Sequence, residues 1–215
     1  MKKAWPTKDA MKQIYEQHLW GTNQTPFYSG DGSHNPDIIN PYIKAVKNFL
    51  LSFQNPLTVC DLGCGDFNIG KQLVPYTNHY HATDIVPELI TYNQQRFRFN
   101  NLEFTCLNIA TDPLPIADCA IIRQVLQHLN NKEVKQIVNK LGVFKYVLLT
   151  EHVPSGQFTA NKDIISGQGI RLKKQSGLDI AQAPFNLPIV DQTTLVTTHL
   201  PNNKGKIVTT LLTLF

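Results

Sequence analysis

Three groups of residues in this 215-residue chain have the types and spacing of chemistry. The first is Asp61-Leu62-Gly63-Cys64-Gly65-Asp66, where the apolar run Leu57 to Asp61 ends in a turn. With no side chains at Gly63 and Gly65, its backbone can approach a ligand closely. The second is Ile122-Arg123-Gln124-Val125-Leu126-Gln127-His128-Leu129, in which a strand-like run gives way to amides and an imidazole that titrates near neutrality. The third is Glu151-His152, directly after the apolar run Phe144 to Thr150. His128, His152 and Glu151 are the candidate general bases. A structural His128, hydrogen-bonded to backbone, is the plainer alternative.

The glycine turn admits three ligand classes, besides the bare reading of a tight strand-to-helix turn. A dinucleotide site wants G-x-G-x-x-G, but Asn68 stands at the third glycine and Asp66 faces the place of a pyrophosphate. A phosphate loop wants G-x-x-x-x-G-K-[ST]; Gly65 to Gln72 comes within one residue, and Gln72 lacks the hydroxyl that would hold magnesium. The third class is the one implied by a family resemblance of this turn. Cys60 and Cys64 have no second Cys or His pair at ligand spacing, so no metal is expected. With Cys106 and Cys119 they read as buried reduced thiols.

The elements that position these groups follow from periodicity. Short β-branched runs alternate with helical patterns from residue 57 to 150, the signature of βαβ units and a parallel sheet. Leu57–Asp61, His79–Asp84, Leu102–Leu107, Asp118–Arg123 and Phe144–Thr150 are the strands. A short helix follows the glycine turn as far as about Val74, Pro87 opens another to about Phe97, and a third starts at Asn130 or Asn131 and stops at Gly142. Residues 193–200 and 206–215 form an antiparallel hairpin around Pro201-Asn202-Asn203-Lys204-Gly205. Before the core lie a helix, the turn-rich stretch 26–36 and a second helix from Pro36 to Phe53; residues 151–192 read as loop with short helices.

Composition bounds the function. Charged residues are 17% of the chain, below the roughly 25% of soluble proteins, and 42% are hydrophobic. The net charge of +4 is small and dispersed, so no nucleic-acid partner is expected. Basic and aromatic residues interleave only at Arg96-Phe97-Arg98-Phe99, which reads as a solvated helix end. Lys2 and Lys3 begin like a signal peptide, but Lys8, Asp9, Lys12, Gln13, Glu16 and Gln17 interrupt the apolar run, and no stretch is long enough to span a bilayer. A cytoplasmic location without membrane contact is the expectation; oligomeric state is left open.

Asp61 to Asp66 resembles the first motif of the class I S-adenosylmethionine-dependent methyltransferases, D-x-G-x-G-x at the end of the first strand. The resemblance covers the five strands and the terminal hairpin. It implies a three-layer α-β-α sandwich around a mostly parallel seven-stranded sheet of order 3-2-1-4-5-7-6. S-adenosylmethionine is the cofactor implied, with no metal. Asp61, Gly63, Cys64, Gly65, Arg123 and Gln124 match positions around its methionine part. Asp84 matches the acid that accepts from both ribose hydroxyls, and otherwise reads as a helix cap. Ile85 and Ile109 would sandwich the adenine, and Asn108 would accept from its amino group where the family often has Asp. Relatives often carry an acid or amide at the place of Gln124.

By this resemblance the chain is one methyltransferase domain: a helical lid at 1–56, the cofactor-binding core at 57–150, a substrate-side insertion at 151–192 and the hairpin at 193–215. The lid, with Tyr28 and Ser33, would meet the methionine carboxylate and the acceptor. Arg171 and Phe185, with residues 161–164 and 183–188, would form the opposite wall, unless Phe185 simply plugs the core. The Asn/Asp-Pro-Pro-aromatic tetrapeptide of amino-methylating DNA and protein-glutamine enzymes is absent, as is a Pro-Cys nucleophile. The expected activity is methyl transfer to oxygen or nitrogen of a small-molecule acceptor by in-line displacement. A non-catalytic S-adenosylmethionine-binding module is the alternative, and a nicotinamide-dependent oxidoreductase a more distant one.

Overall fold

The computed structural model describes residues 5–215; Lys2 and Lys3 lie outside the described residues. Seven strands form one sheet: β1 (Thr58–Leu62), β2 (His79–Asp84), β3 (Leu102–Cys106), β4 (Cys119–Arg123), β5 (Tyr146–Val153), β6 (Asp191–His199) and β7 (Lys206–Thr213). Their order is β3-β2-β1-β4-β5-β7-β6. The first five are parallel, and β7 runs antiparallel between β5 and β6. Chain order reverses beside β1, which opens the crevice at the carboxyl ends of β1 and β4.

Apolar layers cover both faces, as a parallel sheet requires. Val59, Tyr80, Ile121 and Leu148 pack on one side against Tyr42, Val46 and Leu50 of α2 (Pro36–Leu51). Cys60, Ala120, Ile122 and Val147 pack on the other against Val134, Ile137 and Val138 of α4 (Asn131–Val138), and against Met11, Ile14 and Tyr15 of α1 (Thr7–Glu16). Both α2 and α4 begin on an asparagine cap. Asn35 accepts from the Asp37 amide at 3.0 Å, and Asn130 from the Glu133 amide at 3.0 Å. The helix α3 (Pro87–Arg96) connects β2 to β3 and starts on its proline. No described helix is long and apolar enough to cross a membrane.

Three local expectations are corrected. No α-helix follows the glycine turn: residues 66–76 form turns, with 3-10 segments at Gly70–Gln72 and Val74–Tyr76. Phe67 takes a left-handed φ of 61°, and its fully buried ring lies where a Cβ on Gly70 would sit, 2.2 Å away. That ring anchors an aromatic group with Tyr80, Phe97 and Phe104, which a regular helix would break up. Second, β5 runs three residues past Thr150, because it pairs with β7 as far as Val153 opposite Lys206. Third, Cys60 and Cys119 are buried free thiols, Cys64 is partly buried, but Cys106 is exposed on the edge strand β3.

Candidate functional site

The glycine turn is pinned on three sides. The amides of Gly63 and Cys64 both donate to the Thr83 carbonyl, at 2.9 and 2.8 Å, so the turn hangs from β2. The Gly65 amide donates to Asp84 Oδ2 at 3.1 Å, and Asn93 Nδ2 to the Gly65 carbonyl at 2.8 Å. Gly63 and Gly65 have φ of 92° and 56°, the left-handed region that favours glycine. A Cβ on either would press to 2.4 Å against Val125 or against Ser29 Oγ.

Around this turn lies a cavity of about 570 Å³. Asp61, Gly63, Cys64, Gly65, Asp84, Ile85, Asn108, Ile109, Arg123 and Gln124 all line it, and so do Ser33 and His128. Asp61 Oδ2 accepts from the Tyr80 hydroxyl at 2.9 Å, and burial raises its carboxyl to about 7. Burial likewise raises Asp84 to about 6, although the amides of Val86 and Gly65 pull the other way. Each Asp84 oxygen accepts one backbone amide, Oδ1 that of Val86 at 3.1 Å, and each keeps a second lone pair. Asp84 therefore does not cap α3, whose cap residue is Val86. Asn108 Oδ1 accepts from the Ala110 amide at 3.0 Å, which closes an Asx turn and leaves that oxygen its second lone pair.

A short segment, residues 26–35, folds down over the turn. Asn68, at the place of a third glycine, donates its amide to the Ser33 carbonyl at 2.8 Å. The Arg123 guanidinium bonds the Gly32 carbonyl and Ser33 Oγ, and lies 4.7 Å from the centre of the Tyr42 ring. Its Nε and the Gln124 Nε2 are buried donors without a partner, on two residues that line the cavity. Such donors fit a carboxylate, while Asp61 and Asp84 suit an ammonium or hydroxyls, and Ile85 and Ile109 an apolar ring. The donor set thus fits S-adenosylmethionine, part by part.

His128 closes the far end. Its Nδ1 faces the Gly167 carbonyl at 3.1 Å, which only accepts, so Nδ1 carries the proton and Nε2 is the acceptor. Gln127 Nε2 lies 3.3 Å from that Nε2, and the Trp20 ring packs 5.2 Å from the imidazole centre. Burial lowers His128 to about 4, so the ring is neutral at physiological pH.

The other predicted site residues do not line this cavity. Glu151 and His152 lie within β5 and point to opposite faces, as successive strand residues must. Glu151 is buried with neither oxygen partnered, and burial raises it to about 8. His152 Nε2 instead meets the Lys204 carbonyl at 2.6 Å, beside the β6–β7 turn. The Tyr28 hydroxyl donates to Asp31 at 2.8 Å. Arg171 is 1% exposed and donates to the carbonyls of Leu126 and Leu129, at 3.1 and 2.8 Å, and to Asn131 Oδ1 at 2.7 Å. It braces the turn that carries His128. Phe185 is a core residue, packed with α4.

Residues not singled out in the sequence complete the wall. Thr7, Met11 and Tyr15 line the cavity from one face of α1, at a spacing of four that marks a helical stripe. Trp20 comes from the turn after α1, Ser29 and Gly32 from the covering segment, and Gln168, Gly169, Ile170 and Lys173 from the insertion.

A family model described as "Methyltransferase domain" matches residues 60–143. A Chlamydia pneumoniae protein described as an uncharacterized RNA methyltransferase is 28% identical over 154 residues, which is 67% of this chain but 37% of that protein. The chain thus spans little more than a third of that relative. N-methyltransferase NodS from Bradyrhizobium japonicum WM9, solved with S-adenosylhomocysteine, superposes with a TM-score of 0.67 at 12% identity, over 95% of this chain and 99% of NodS. Magnesium protoporphyrin IX methyltransferase from Synechocystis PCC 6803, solved with bound S-adenosylmethionine, gives 0.59 at 15% identity, over 99% of this chain and 100% of that one. At these identities the superpositions show the fold. Residues 60–143 thus match a methyltransferase domain, and strand order and superpositions give the chain the fold of the class I S-adenosylmethionine-dependent methyltransferases.

Proposed function

We propose that this chain transfers the methyl group of S-adenosylmethionine to an oxygen or nitrogen atom of a small molecule held between the covering segment and the turn of His128. The observation that carries this is that one cavity is lined both by Asn108 and Ile109, which follow β3, and by Trp20 and His128, the latter following β4, with β2 and β1 between those strands in the sheet. S-adenosylmethionine, when bound, supplies a methyl group on a positively charged sulfur, open to in-line displacement. Asp84 would take the ribose hydroxyls on its spare lone pairs. Arg123 and Gln124 would hold the carboxylate, and Asp61 the nearby positive charge. Trp20 and the covering segment would exclude water and fix the acceptor, and positioning of this kind supplies most of the acceleration such a displacement needs.

His128 is the proposed proton acceptor. Its Nδ1 bond to Gly167 orients the ring with Nε2 as the basic nitrogen, at the edge of the cavity. A weak base suffices, because an acceptor hydroxyl grows strongly acidic as its oxygen bonds to carbon.

An RNA acceptor is the second reading, favoured by the description of the Chlamydia pneumoniae relative. Radiolabelled S-adenosylmethionine, incubated with the protein and with either RNA or the small-molecule fraction of a cell extract, separates the two. Label in the small-molecule fraction supports the proposal. Label in RNA replaces the acceptor class, and no label in either, with the cofactor bound, identifies a binding module.

A further inference from the structure

On the α4-side face of the sheet, the β2–β3 edge breaks the apolar pattern. Parallel pairing sets His81 of β2 beside Glu103 of β3, and His79 lies two residues before His81 on the same face. The same face of β1 and β4 carries Cys60 and Ala120, both fully buried. The chain from β3 to β4 contains no helix to cover His79 and His81, which stay partly exposed, with Glu103 exposed. The opposite face of β2, by contrast, buries Tyr80 and Ala82 completely. Polar side chains here are chosen by something other than the core.

Their geometry is that of ligands. His79 Nε2 lies 3.7 Å from Glu103 Oε2, and His81 Nδ1 lies 3.4 Å from the same oxygen. All three ligand atoms fall within 4.8 Å of one another, and the two imidazole centres are 4.3 Å apart. Bonds of about 2.0–2.1 Å to a tetrahedral ion set ligand atoms roughly 3.3 Å apart, so small side-chain rotations would close the set. Two protonated imidazoles this close repel each other. The neutral ring is the form a metal binds.

We propose that His79, His81 and Glu103 bind a divalent transition cation of the zinc class, with water in the fourth position. Two imidazoles and one carboxylate favour such ions over magnesium or calcium. The site lies on the amino-terminal half of β2, with His81 roughly 10 Å and His79 roughly 16 Å along the strand from Asp84 at about 3.3 Å per residue. It would clamp the edge strand β3 to β2 and take no part in methyl transfer.

The test is titration of the metal-free protein with zinc by calorimetry and with cobalt(II) by absorption, for wild type and the double variant H79A/H81A. The proposal expects one equivalent of zinc, a tetrahedral cobalt band, and a thermal midpoint raised by zinc. In the double variant affinity falls at least about tenfold, and S-adenosylhomocysteine binding is unchanged. E103Q, which leaves the imidazoles in place, is expected to weaken binding less. Equal zinc binding by wild type and the double variant, or no saturable binding by wild type, would overturn the site. If the double variant loses cofactor binding as well, E103Q alone decides, and undiminished zinc affinity in E103Q then overturns it.

Discussion

Ser29 and Asp66 exchange hydrogen bonds in both directions: the Ser29 amide donates to Asp66 Oδ2 at 2.9 Å, and the Asp66 amide to Ser29 Oγ at 2.9 Å. His34 Nε2 meets the same carboxylate oxygen at 2.6 Å, and Tyr15 reaches Ser29 Oγ at 3.1 Å. Two residues far apart in sequence thus latch the covering segment onto the glycine turn.

Ser29→Ala removes the hydroxyl half of that latch and leaves the core intact. Loss of one or two hydrogen bonds of about 1 kcal/mol each predicts roughly five- to thirtyfold faster release of S-adenosylhomocysteine. Stopped-flow dissociation checks this, and an unchanged rate would show that the segment does not gate the cavity.

Gly65→Ala attacks the latch from the other side. A Cβ at φ 56° and 2.4 Å from Ser29 Oγ must displace Ser29. Expected are a destabilisation of about 1–3 kcal/mol and weaker cofactor binding, read by thermal denaturation with and without S-adenosylhomocysteine.

Arg171 separates a structural from a substrate role. Arg171→Met leaves the carbonyls of Leu126 and Leu129 without their donor and should lower stability by about 2–5 kcal/mol. A substrate contact would instead raise the acceptor KM at unchanged thermal stability.

Glu151 gives a pH signature. Unfolded, its carboxyl titrates near 4.5; folded, burial raises it to about 8, against the pull of Arg171. The folded protein therefore keeps a proton that the unfolded chain has shed. That stabilisation is full below about pH 4.5 and lost as pH rises through about 8. Glu151→Gln should match wild type near pH 5 and exceed it near pH 9, by about 1–4 kcal/mol. Equal pH profiles of the two proteins would contradict a buried, unpartnered carboxyl.

Much of this was legible in the sequence, for local reasons. Alternating strand runs, Pro87 at a helix start and Asn130 as a cap are local signals, and the structure follows them. The cofactor-side residues cluster because a βα turn sets Asp61 to Gly65 beside Asp84 through strand pairing alone. Glu151 and His152 were misread because the reach of β5 depends on β7, which is distant in sequence. Arg171 reads as part of the substrate-side wall, since nothing local tells a guanidinium bound to backbone carbonyls from a free one. The helix expected after Gly65 fails on the ring of Phe67, whose aromatic partners come from β2, β3 and the end of α3. The stripe Thr7, Met11 and Tyr15 was readable and pointed at the cavity, but its target is set by tertiary packing.

The most direct measurement of the central claim is a calorimetric titration of S-adenosylhomocysteine into wild type and Asp84→Ala at several pH values. Asp84 accepts best when ionised, and burial holds it near 6, so wild-type affinity should rise between about pH 5 and 7. The account predicts one site per chain in wild type, with affinity at least about tenfold weaker in the variant and its pH dependence flattened. Equal affinities and equal pH profiles in the two proteins would contradict it.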